Sequence, residues 1–183
     1  MGTISSFTFI SLDGYYKDLS DDISWHQHDA EGAKFSEDSL SNGNALLFGR
    51  KTYQLMASFW PSPAAHDAFP AVAEGMNKAK KFVISNSLKS VDWANTTIIN
   101  GDWIKQITEL KQTLNITILG SGSILSQLAE RGLIDYFQVM IDPLVLGAGT
   151  AIFSGIKEQI NLRLSDSHVF KSGKILLNYQ ARI

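Results

Sequence analysis

Two stretches of the chain set glycine beside cationic or hydroxyl side chains where an apolar run gives way to helical spacing. The first is Phe48-Gly49-Arg50-Lys51-Thr52-Tyr53. It follows Ala45-Leu46-Leu47-Phe48, a short continuous apolar run with the pattern of a strand buried on both faces. Residues 50–59 then have helical spacing, with Tyr53, Met56 and Trp60 recurring at three and four. Arg50 and Lys51 therefore stand in a first helical turn, where the macrodipole already places roughly half a positive charge. Helix stability alone favours Asp or Glu there. A phosphate at that helix end removes the conflict, held by free backbone N–H groups, the Thr52 hydroxyl and the Arg50 guanidinium. The competing reading is two solvated cations on a surface helix, at a small cost each.

The second stretch is Leu119-Gly120-Ser121-Gly122-Ser123, between another buried-strand pattern and a helix. Glycine there lets a polyanion approach the backbone, and a helix start offers unpaired donors. It is not a G-x-G-x-x-G fingerprint, because Leu125 stands at the third glycine position. No Gly-Lys-Ser/Thr follows, so it is not a P-loop, and no G-x-S-x-G elbow is spelled out. Two such junctions in one small sheet point to a ligand with two or three phosphates across the carboxyl ends of the strands. Ser85-Asn86-Ser87, after the apolar run 82–84, offers further small polar groups, or is a simple turn.

Other candidates are less constrained. His26, His28 and Asp29 form an H-x-H-D cluster that could ligate a metal with His66 or Asp21 as a third group. A solvated loop is the competing reading, and no metal is assigned. Trp25, Tyr53, Met56 and Trp60 could line an apolar pocket for a flat ring, or simply pack in the core.

These groups need elements to hold them. Residues 3–12 are β-rich and end at the turn signal Asp13-Gly14. Residues 15–30 lack a period and read as a long loop, of the kind that is functional or disordered. Helices are expected over 30–40, 50–59, 66–79, 102–113 and 124–131, and strands over 45–48, 81–85, 96–99 and 115–119. From residue 134 onward the pattern is strands only, over 136–141, 165–170 and 175–182, the last two a hairpin. The expected fold is α/β: one mostly parallel central sheet flanked by helices, with antiparallel C-terminal strands, in a single domain over residues 1–183.

Composition narrows the partners. A chain of 183 residues can bury roughly 70 % of its unfolded surface, so a core needs no staples. Sixteen Lys and Arg against eighteen Asp and Glu leave a net charge of -2, without the basic footprint of a nucleic-acid binder. Cysteine is absent, which excludes disulfides, thiolate metal sites and cysteine nucleophiles and favours a reducing cytoplasm. No apolar stretch is long enough to span a bilayer, so no membrane partner is expected.

Five motifs occur in order: Ser11-Leu12-Asp13-Gly14, Gly49-Arg50-Lys51-Thr52-Tyr53, Phe82-Val83-Ile84-Ser85, Leu119-Gly120-Ser121-Gly122-Ser123 and Pro143-Leu144-Val145-Leu146-Gly147-Ala148-Gly149. Together they resemble the dihydrofolate reductase-like superfamily. The nearer resemblance is to the C-terminal reductase domain of the bifunctional riboflavin-biosynthesis deaminase-reductase and its stand-alone bacterial relatives. It spans residues 5–182.

The resemblance implies an NADPH-dependent oxidoreductase that passes a hydride to a C=N or C=O of a small heterocycle, such as 5-amino-6-(5-phosphoribosylamino)uracil. A dihydrofolate or pterin reductase and a non-catalytic nucleotide-binding module are the alternatives. It also implies that Arg50 meets the 2′-phosphate, with Ser85 and Asn86 near the same end. Gly49, Lys51 and Thr52 would hold the pyrophosphate from one helix start, and Gly120, Ser121, Gly122 and Ser123 from the other. Asp13 is the implied proton relay, with Asp29 and Glu31 as fallbacks, and Trp25, Asp29, Glu31, Tyr53 and Met56 would surround the substrate. A homodimer is implied as well, through the C-terminal strands.

Overall fold

In the computed structural model, which describes residues 1–182, apolar runs and alternating stretches become ten strands and six helices. The strands are β1 (Ile4–Ser11), β2 (Tyr15–Lys17), β3 (Ala45–Gly49), β4 (Lys81–Ile84), β5 (Thr96–Ile99), β6 (Ile116–Leu119), β7 (Tyr136–Asp142), β8 (Thr150–Ala151), β9 (Leu162–Val169) and β10 (Ile175–Ala181). The helices are α1 (Ala30–Ser41), α2 (Arg50–Phe59), α3 (Pro63–Ala68), α4 (Pro70–Lys78), α5 (Trp103–Lys111) and α6 (Gly122–Glu130).

Eight strands form one sheet in the order β5-β4-β3-β6-β1-β7-β10-β9. The first six run parallel, and β10 pairs antiparallel with both β7 and β9. The fold is therefore the expected mostly parallel sheet with antiparallel C-terminal strands. The continuous apolar run 45–48 is explained by β3 lying between β4 and β6 with both faces covered. Its Leu47 joins Ile116, Ile118, Ile107 and Leu125 on the α5–α6 face. Its Leu46 and Phe48 join Val72, Met76 and Val83 on the face covered by α4.

Two differences from the sequence reading have local causes. The helix expected over 66–79 is two helices, because Pro70 has no N–H to donate and Phe69 leaves helical geometry at φ -142°, ψ 63°. The first of them starts earlier, at Pro63, with Ser62 accepting from the Ala65 N–H. The loop expected over 15–30 begins with β2, which pairs with β8 in a two-stranded ribbon. Gly149 permits that pairing, since a Cβ there would lie 2.2 Å from the Lys17 carbonyl oxygen.

Candidate active site

Parallel strands leave their connections at the carboxyl edge of the sheet, and the direction of those connections decides where a crevice opens. The chain leaves β3 toward α2, α4 and β4, away from the sheet centre. From the adjacent β6 it leaves through α6 across β1 to β7, on the opposite face. The crevice between β3 and β6 is thus a topological switch point, and both glycine-bearing junctions sit on it. A cleft of about 1480 Å³ runs from there past β1.

The two helix starts are laced together by one side chain. Ser121 Oγ accepts the Gly49 N–H at 2.7 Å and donates to Thr52 Oγ1 at 2.8 Å. Ser121 itself is left-handed (φ 60°), and it precedes α6 without capping it. Gly122 packs so closely under Tyr16 that a Cβ would lie 2.8 Å from the ring. Gly49 begins α2 with no side-chain cap and no acid in the first turn. Two uncapped helix starts therefore face one crevice, with Arg50 and Lys51 beside them. That arrangement fits a diphosphate: free donors, positive dipole ends and two cations.

Lys51 Nζ reaches Asp21 at 2.8 Å, and Asp21 also pairs with Lys17. Hydrogen bonds and charge from both lysines pull the Asp21 carboxyl down to about 2. Arg50 forms no ion pair among the described residues and only a long contact, 3.4 Å, with Gln54.

Beyond the crevice the cleft is aromatic. Trp25, His26, His28, Phe9, Met56, Trp60 and Phe69 line it. His26 is the buried member: its ring stacks on Phe9 at 3.5 Å, and Nδ1 lies 2.9 Å from an Asp142 carboxylate oxygen. Asp142 closes β7 and is 2 % exposed. His28 stands 4.8 Å from His26, edge to face. Partial desolvation among the cleft's aromatic rings, then the neighbouring His26, hold its pKa below the ordinary histidine range. The Trp25 indole N–H is occluded and has no acceptor, at a desolvation cost of about 1–3 kcal/mol. The solvated-loop reading of this segment fails at His26, which is buried, and holds for His28, which is exposed. Among the described residues no three His, Cys, Asp or Glu converge as a metal site.

The remaining candidates are placed elsewhere. The Asp13 carboxylate accepts from Ser11 Oγ (2.6 Å), Leu146 N–H (3.1 Å) and Gly147 N–H (2.8 Å), tying the end of β1 to the glycine-rich turn. Those bonds, the serine first, lower its pKa, and it does not line the cleft. Asp29 caps α1 through the Gly32 N–H and pairs with Lys174 at 2.7 Å. Glu31 accepts the Lys171 N–H at 2.9 Å. Both line a separate shallow depression with Lys171 and Ser172. Tyr53 is 5 % exposed, because α2 turns it toward the sheet, where its ring packs beside Trp93. Ser85 Oγ accepts from the Leu88 N–H, and Asn86 Oδ1 from the Gly101 N–H. Both close turns at the end of β4, next to β3, and stay outside the cleft. Lys51, Thr52, Gly120, Ser123, Trp25 and Met56 do line it, with Gly49, Arg50, Ser121 and Gly122.

Known proteins share this architecture. The chain is 26% identical over 172 residues to the uncharacterized protein YyaP of Bacillus subtilis, covering 93% of this chain and 90% of that protein. A structure of the deaminase/5-amino-6-(5-phosphoribosylamino)uracil reductase of Thermotoga maritima superposes with a TM-score of 0.71 at 12% identity. It covers 99% of this chain and 57% of that one. Dihydrofolate reductase from Enterococcus faecalis, complexed with NADP(H), superposes with a TM-score of 0.62 at 13% identity, over 100% and 98% of the two chains. The fold is thus dihydrofolate reductase-like. The family model of the RibD C-terminal domain matches residues 3–176, and the chain belongs to that family.

Proposed function

We propose that this chain is an NADPH-dependent reductase acting on a C=N or C=O group of a small heterocyclic substrate of the aminouracil type. The observation that carries this reading is the pair of uncapped helix starts laced by Ser121 at the β3–β6 switch point, with two cations on α2 and no acid in either first turn. Family membership supports it, as does the reductase named in the Thermotoga maritima neighbour. The NADP(H) held by the Enterococcus neighbour is consistent with the choice of coenzyme.

Lys51, Thr52 and the Gly49–Arg50 backbone would hold the diphosphate from one side, and the Gly120–Ser123 backbone from the other. Arg50 is the residue for a 2′-phosphate, since its guanidinium is planar, permanently charged and otherwise unpaired. When bound, the dinucleotide supplies a hydride. The chain's part is to align the acceptor under Trp25, Met56 and the His26 ring and to exclude water. A reducing cytoplasm, with NADPH at hand, is the proposed location.

We also propose a homodimer through the C-terminal strands. The edge strand β9 exposes Leu164 (51 %) and Val169 (68 %), and its partner strand exposes Ile175 (37 %).

Titration with NADPH and NADH, read by tryptophan fluorescence, tests the coenzyme reading. Arg50→Glu should weaken NADPH binding at least about tenfold more than NADH binding, as loss of a charge-assisted phosphate contact implies. Equal loss for both would remove Arg50 from its role, and no binding of either would remove the reductase.

A further inference from the structure

We propose that His26, oriented by Asp142, is the proton donor to the hydride acceptor, so that reduction draws its proton from this dyad and not from Asp13, Asp29 or Glu31. The inference rests on the reductase reading of the same cleft. Its own support is geometric. Nδ1 is committed to the Asp142 carboxylate, at 2.9 and 3.1 Å from its two oxygens. A carboxylate in that place fixes the tautomer with hydrogen on Nδ1, leaving Nε2 as the exchangeable nitrogen. Among the described residues Nε2 has no hydrogen-bond partner, yet it is not one of the occluded orphan atoms, which are Thr8 Oγ1 and the Trp25 indole nitrogen. It therefore meets the cleft.

The ring is held on three sides: stacked on Phe9, edge-on to His28 at 4.8 Å and to Trp25 at 6.3 Å. Such a group is aimed before any ligand arrives. The three acidic candidates are each spent on backbone or lysine partners that stabilise the ionised form.

The step balances. The acceptor carbon of the C=N or C=O gains the hydride, and the π electron pair moves onto nitrogen or oxygen. That atom takes the proton from protonated Nε2, leaving neutral imidazole and oxidised dinucleotide; Asp142 stays ionised, and water reprotonates the ring.

The titratable groups in contact with the ring are Asp142 from β7 and His28 from the same loop, and the Lys174–Asp29 pair acts on His28 in turn. A general acid must be protonated, so turnover should fall as pH rises, and that fall should be absent without the His26 ring.

Three measurements on the whole chain test this. Long-range proton–nitrogen spectra of the ligand-free protein should show the neutral His26 ring with its hydrogen on Nδ1, toward Asp142, and none on Nε2. Hydrogen fixed on Nε2 instead, or an unchanged tautomer in Asp142→Asn, overturns the proposal. With 5-amino-6-(5-phosphoribosylamino)uracil and dihydrofolate as probes, His26→Gln should lower kcat about 100-fold or more, leave KM within about threefold and abolish the fall at high pH. A variant with wild-type kcat and pH profile overturns it. NADPH affinity of His26→Gln should match wild type within about twofold. Failure of the wild type itself to bind NADPH would sink the reductase reading instead, and the proton-donor role with it.

Discussion

Asp29 shows how much a single carboxylate can be asked to do. Its oxygens hold the start of α1 through the Gly32 N–H and the β9–β10 turn through Lys174, and its pKa is pulled down to about 2, by Lys174 first. A carboxyl depressed in the folded state stabilises it above the unfolded pKa near 3.8 and loses that contribution as pH falls toward about 2. Asp29→Asn should therefore unfold more easily at neutral pH by about 1–2 kcal/mol, after allowing for solvent screening of a partly exposed pair. The wild-type advantage should shrink between about pH 4 and 2, as urea titrations at each pH would show. Residues of this kind were only half legible in the sequence. Arg50 and Lys51 announced themselves because their charge opposes the local dipole. The partnership of His26 with Asp142 did not, since 116 residues separate them and no spacing rule joins them. Asp13, Asp29 and Glu31 were visible as acids, but not the backbone amides they serve.

Elements were read best where their pattern was long or unbroken. The run before Gly49 and the helix 50–59 follow from hydrophobic order alone, and β3 and α2 match them. The β2–β8 ribbon was missed because strands of three and two residues are shorter than any period that could reveal them. The contact between the two glycine junctions was equally invisible, since Ser121 bonds across 72 and 69 residues. Ser121→Ala tests what that contact does. It deletes the acceptor of the part-buried Gly49 N–H, so a loss of about 1–2 kcal/mol in chemical denaturation is expected. NADPH binding should weaken about tenfold, because the two helix starts would no longer be held in register. Unchanged affinity in a destabilised variant would mean that the lace serves folding only.

At the scale of the whole molecule, an edge strand exposed along nearly all its length is a liability unless something covers it. Sedimentation equilibrium should give about twice 20.2 kDa, and Val169→Lys with Leu164→Lys should return the monomer. A wild type that stays monomeric at every concentration would leave the strand uncovered and remove the homodimer. Charge links distant parts of the chain at this scale too. The segment that carries Trp25 and His26 is moored, through Asp21, to the ammonium group of Lys51 on α2. If that ammonium also serves a coenzyme phosphate, anion and carboxylate are rivals for one cation. Arrival of the dinucleotide then slackens the mooring, and a tighter mooring repels the dinucleotide to the same thermodynamic degree. Substrate-side mobility and coenzyme affinity become two readings of one equilibrium.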